Sequence, residues 1–176
     1  EPRRAISWEE MADPYEKLHK DDEALAAYDS SVTVDAEFYA GYSLRTWIRL
    51  RLGDSAGARA DALTAMRLSP VGEEYYGLAP RAAVAAADGD TTLAQRLMEQ
   101  ALVPFAARPL GPVPAMMLVS GLVSAGQRAL ALDWIERVEP RGALLWWALQ
   151  YPQFDPLRGE PRFQRVVDES RPPGTK

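Results

Sequence analysis

Three carboxylates, Glu9, Asp13 and Glu16, are spaced by four and three residues, which places them on one face if the segment is helical. Just beyond them stands the only histidine of the chain, His19, flanked by Lys17, Lys20, Asp21 and Asp22. This is the nearest the sequence comes to reactive machinery. Paired carboxylates serve as acid and base in glycoside hydrolysis, and clusters of carboxylate oxygens hold Ca²⁺. The first needs two walls of a cleft and the second a ligand-dense loop. A general-base histidine needs an orienting partner and a pocket. His19 reads instead as a solvated turn residue, and the three acids as a solvated acidic face.

Other chemistries are excluded by residue type. With no cysteine there is no disulfide, thiolate nucleophile or cysteine zinc site, and one histidine cannot make a two-histidine metal site. Serines and threonines are scattered without a nucleophile elbow, and no glycine-rich phosphate loop precedes a helix. A net charge of -5 opposes nucleic-acid binding, which needs a basic footprint to displace counterions. The sequence therefore implies no enzyme, no metal and no cofactor.

The elements that position these residues read as helices. At 176 residues, 47% apolar and 26% charged, the chain has the composition of a globular domain. Helical periodicity runs from Trp8 to Val167, and beyond Ser31 to Val34 there is no β-branched run. Breaks fall at Gly53-Asp54, Gly89-Asp90 and Gly126-Gln127, each followed five residues after the glycine by an alanine, Ala58, Ala94 or Ala131. Glycine suits the left-handed residue that stops a helix, and aspartate suits the start of the next. A shift of 34 residues superposes Ala24 on Ala58 and Ser31 on Ala65, and the next intervals are 36 and 37 residues. Such a period with two helices per unit predicts an all-α helical-hairpin solenoid.

Trp8, Met11, Ala12 and Tyr15, then Ala24, Tyr28 and Ser31, resemble the tetratricopeptide-repeat (TPR) pattern. So do Ala58, Ala62, Ala65 and Pro70, and Leu78, Ala82, Ala85, Gly89, Ala94, Met98 and Ala101. The resemblance implies a right-handed superhelix in a single domain over 1–176, with units at about 5–38, 39–72, 75–110 and 112–141 and a cap at 142–170. Paired helices cross closely only where one offers a small side chain, and Ala12, Ala24, Ala58, Ala82 and Ala94 are the expected crossing points.

Four departures stand out. Arg45 and Arg49 occupy places where the pattern wants apolar residues, which predicts a helix shifted by one residue with Leu44, Trp47, Ile48 and Leu52 buried. Pro14 and Pro80 fall inside first helices. Gly121 interrupts the fourth unit, and the proline-rich stretch Pro104 to Pro114 reads as extended. The tail from Pro152 to Val167 resembles the phrase that closes repeat arrays in bacterial cyclases, serine/threonine kinases and transcription regulators. Asp155 to Arg158 reads as a turn, Pro161 as a helix start, and Phe163, Val166 and Val167 as the apolar face of a cap over Leu144 to Leu149. Trp146 and Trp147 are adjacent, so one is expected beneath the cap and the other at a surface.

In such an array the first helix of each unit lines the inner surface. The register gives Glu9, Asp13 and Glu16, then Trp47 and Leu50, then Tyr76, Ala79 and Ala83, then Met116 and Val123 as a partner-binding groove. It is apolar with an acidic mouth, since residues 1–35 carry a net charge of -6 and the rest +1. The lysine and asparagine clamp that some TPR proteins close on a peptide carboxylate is absent: there is no asparagine, and no lysine between Lys20 and Lys176. The expected function is a non-catalytic protein–protein interaction module that binds a peptide or helix on this apolar inner groove, forming the C-terminal part of a bacterial signalling or regulatory protein. The alternative is a self-associating scaffold, a homodimer. No apolar run reaches the roughly 18–20 residues that span a bilayer. The chain begins at Glu1 without an initiator methionine and reads as a piece of something longer. It is expected in the cytoplasm, or outside it if a membrane segment precedes it.

Overall fold

The computed structural model describes residues 2–107 and 109–175. Arg108, within the stretch expected to be extended, and Glu1 and Lys176, the ends of the expected domain, lie outside the described residues. Four helical hairpins follow one another: α1 (Pro2–Lys17) with α2 (Asp21–Val34), α3 (Tyr39–Arg51) with α4 (Ser55–Leu68), α5 (Tyr75–Ala87) with α6 (Thr91–Leu102), and α7 (Pro112–Ser124) with α8 (Arg128–Ile135). A short α9 (Ala143–Ala148), a 3₁₀ stretch (Pro152–Leu157) and α10 (Pro161–Ser170) complete the array. No strand occurs among the described residues.

All four hairpins turn by one device. Gly53, Gly89 and Gly126 take φ of 80°, 83° and 73°, and His19 holds the equivalent place at 56°. The next residue donates its N–H five residues back in each case: Lys20 to Tyr15, Asp54 to Arg49, Asp90 to Ala85 and Gln127 to Leu122, at 2.8–2.9 Å. This bond satisfies a carbonyl that the helix end leaves open. Asp54 and Asp90 then accept from the N–H of Gly57 and Leu93, capping α4 and α6.

The small residues named as crossing points, Ala12, Ala24, Ala58, Ala82 and Ala94, are all fully buried. Gly121 belongs with them. A Cβ there would stand 2.6 Å from Met98 Sδ and 3.0 Å from Ala79 Cβ, so α7 lies against the third hairpin only because that side chain is missing.

Two expectations need correction. α3 is not shifted: Leu44, Trp47 and Ile48 are buried, but so is Arg45, while Leu52 lies at the exposed helix end. Arg45 makes two 2.7 Å hydrogen bonds to Asp61 and a third to Asp29, and Arg49 stands 3.2 Å from Asp61. Ion pairs fill places that the pattern gives to apolar side chains. The stretch from Pro104 to Pro114 is not simply extended either. Its start belongs to a 3₁₀ turn (Val103–Phe105) that buries Phe105, Leu110 bridges to Val138, and α7 begins at Pro112.

The C-terminal elements pack as a cap. Phe154, Leu157, Phe163 and Val166 are fully buried, and the two phenyl rings stack at 5.9 Å. Trp146 is half-buried against the core, whereas Trp147 is exposed.

Candidate functional site

α1, α3, α5 and α7 supply the inner face, and the segment after α9 crosses it. Tyr151 donates its hydroxyl to Asp13, and Gln153 Nε2 donates to Glu16 Oε1 at 2.7 Å, joining the tail to the first helix across more than 130 residues of sequence. The Lys17 ammonium pairs with Asp13 at 2.7 Å and stands 4.4 and 4.6 Å from the ring centres of Trp147 and Tyr151. That geometry is a cation over aromatic faces, braced by a carboxylate.

Glu16 is fully buried beneath this crossing. It accepts from Tyr28 (3.0 Å) and Arg51 (3.2 Å) as well as Gln153, and Arg51 continues to Asp21 at 2.8 Å. Burial pushes the Glu16 carboxyl up, against the opposing pull of Arg51 and the three donors. The acids of α1 are therefore not a solvated face. Glu9 is half-buried, with a carboxyl raised from 4.5 to about 7 by burial and by neighbouring Glu10 and Asp13.

The crossing divides the inner face into two clefts. The first, about 440 Å³, lies among Glu9, Glu10, Asp13 and Lys17 of α1, Leu44, Tyr76, Met116 and Val113 of the following first helices, and Leu144, Trp147 and Tyr151 near α9. The second, about 410 Å³, lies among Trp47, Leu50, Arg51, Ala83, Val123, Pro152 and Gln153. Of the ten residues assigned to the groove, Glu9, Asp13, Tyr76 and Met116 line the first cleft, and Trp47, Leu50, Ala83 and Val123 the second. Two are corrected. Glu16 is internally bonded, and Ala79 is fully buried behind the face, where it meets Gly121.

Sequence reasoning missed Lys17, Glu10, Arg51 and the whole contribution of the tail. The one signal for the last was the Trp146-Trp147 pair, which a single buried stripe cannot absorb. His19 lies in the α1–α2 turn, exposed, with Nε2 3.7 Å from Asp155. Among the described residues no group of three His, Cys, Asp or Glu side chains is placed to hold a metal ion, and no helix is long and apolar enough to cross a membrane.

Comparison with known proteins places the fold. No family model and no curated protein matches the chain. Among solved structures, a tetratricopeptide repeat protein from Parabacteroides merdae matches with a TM-score of 0.53 at 15% identity, over 93% of this chain and 69% of that one. The chain thus has a TPR-like fold, a helical-hairpin solenoid. Stacked hairpins of this kind create an extended inner surface.

Proposed function

We propose that the chain is a non-catalytic interaction module that takes a peptide segment of a partner protein on its inner face. The observation that carries this is the pair of clefts, whose lining comes from side chains of every first helix. Their lining suits the side chains of an extended peptide or of one face of a helix laid against them. The resemblance of Pro152 to Val167 to the close of bacterial repeat arrays supports a place at the C-terminal end of a signalling or regulatory protein, with a cytoplasmic location following from that context.

Selection from a displayed library of random nonapeptides tests the reading. The expected result is peptides that compete with one another and weaken on Trp147→Ala and on Val123→Asp according to the cleft they use. Selected peptides indifferent to both substitutions would overturn it. The exposed Leu144, Trp147 and Val113 beside the first cleft favour the second reading, a self-associating scaffold. Sedimentation at micromolar and sub-micromolar concentration separates the two, since a dimer would shelter Trp147.

A further inference from the structure

Among the described residues, the charges of the first cleft do not balance. Three carboxylates, Glu9, Glu10 and Asp13, face one ammonium, Lys17. Lys17 is satisfied by Asp13 and by the rings of Trp147 and Tyr151. Glu9 and Glu10 have no hydrogen-bond or ion-pair partner among the described residues, and they share the cleft with Leu44, Met116 and Val113. Two like charges against apolar surface are costly, and a cation relieves that cost. An acidic segment would be repelled, and an uncharged one would cover the carboxylates without pairing them. A second copy docking this face through a two-fold axis would bring the same acidic helix against itself.

On these grounds, and resting on the interaction-module reading above, we infer that the first cleft takes a lysine or arginine side chain of an otherwise apolar partner segment. Its cation sits against Glu9 and Glu10, and the flanking aliphatic residues sit against Leu44, Met116 and Val113. Lys17 shows on the same helix how an ammonium is held there, between a carboxylate and ring faces.

The Glu9 carboxyl, at about 7 in the free protein, must ionise to meet the cation, so binding tightens as pH rises from 6 to 8. The other titratable groups lining the cleft are Glu10, Asp13 and Lys17 of α1, Tyr76 of α5 and Tyr151 of the tail. Burial pushes both phenols up from 10, so they stay neutral throughout. Tyr28 of α2 and Tyr39 of α3 also feel the Glu9 charge, and burial pushes both up, so they too stay neutral; the lining residues from α3, α7 and α9 do not titrate.

The test sorts the same nonapeptide library on the wild-type chain, on Glu9→Gln/Glu10→Gln and on Trp147→Ala. The wild type should enrich peptides with lysine or arginine between apolar residues. Replacing that lysine by norleucine should weaken binding about ten-fold, and the difference should vanish on the double variant. The double variant removes one half-buried and one exposed carboxylate and should keep its fold, which a thermal melt checks; Glu10→Gln alone serves should it not. Enrichment without basic residues, or equal binding of the lysine and norleucine peptides, would overturn the inference while leaving the interaction module standing. No enrichment on the wild type, or selected peptides that ignore both Trp147→Ala and Val123→Asp, would sink both.

Discussion

From α1 to α4 the core holds Glu16, Arg45 and Asp61, whereas from α5 to α10 the buried polar side chains among the described residues are two serines, Ser120 and Ser170. Both halves use the same hairpins, the same turns and the same alanine crossings. They differ in what fills the space around the alanines. In the first half Arg45 bonds Asp61 on α4 and Asp29 on α2, so three helices are set by directional contacts. In the second half Met98 lies against Gly121, and Phe154 stacks on Phe163, so contact is set by volume. The repeat pattern specifies where helices cross; it leaves open whether polarity or shape locks the crossing. The polar half also reaches the tail from the buried side, where Glu16 and Asp13 accept from Gln153 and Tyr151, whereas α8 and its C-cap hold the tail through surface ion pairs such as Arg128 with Glu160 and Glu136 with Arg162.

The largest effect should come from the half that depends on volume. Phe163→Ala should cost about 3–5 kcal/mol, because a fully buried ring leaves a cavity beneath the cap. Urea melts in low and high salt should give the same loss, since no charge is involved. Removing residues 152–176 should go further, shifting tryptophan emission to the red and taking Gln153 away from the buried Glu16. A truncated chain that kept its emission and melting temperature would overturn the cap.

In the polar half, Asp61→Ala should cost about 3 kcal/mol, because Arg45 keeps only the half-exposed Asp29 as partner. The double replacement Arg45→Met with Asp61→Leu should recover most of that loss, as apolar groups of similar size often replace buried ion pairs without penalty. If the double variant is as unstable as the single one, geometry rather than desolvation governs this seam, and the contrast between the halves is sharper than drawn.

A smaller effect separates the halves by pH. The Glu9 carboxyl is raised from its ordinary 4.5 to about 7, so the folded chain binds a proton more tightly than the unfolded one. The stability this group contributes is full below about pH 4.5 and is lost as pH rises to about 7. Glu9→Gln should remove that slope and raise stability at pH 7.5, on the order of 1 kcal/mol once solvent screening of a half-buried group is allowed for. Melting temperatures of the two proteins, compared at pH 4.5 and 7.5, check the difference.

The apolar half was the more legible in sequence. Gly89-Asp90 and Gly126-Gln127 announce turns because few other residues take positive φ, and Phe163, Val166 and Val167 announce a cap because their spacing fits one helical stripe. The polar half hid its packing, since an arginine in a buried place looks like an error until its carboxylates, 16 residues away on either side, are seen beside it. The site was legible in part for a related reason. Helical register placed eight of the ten groove residues on the two clefts. No local pattern links Asp13 to Tyr151, because that contact depends on how three further hairpins curve.

The smallest effect concerns the one turn where the first half lacks the residue that the other turns share. His19 lies 34 residues before Gly53 and carries φ of 56° in the same left-handed place, where a side chain costs about 1–2 kcal/mol. Glycine there would relieve that strain and leave the Lys20 to Tyr15 bond intact, while loosening the unfolded chain by about 0.4–1 kcal/mol. His19→Gly should therefore stabilise by roughly 0.5–1 kcal/mol. The loss of the 3.7 Å approach to Asp155 should weigh little, because both side chains are exposed. His19→Ala separates the contributions: it removes the imidazole but keeps the strained backbone, so it should fall at or below the wild type while glycine rises above it. If both substitutions destabilise equally, the imidazole's approach to Asp155 is a real tie between the first turn and the tail. The polar half would then reach the cap at a third point, beyond Asp13 and Glu16.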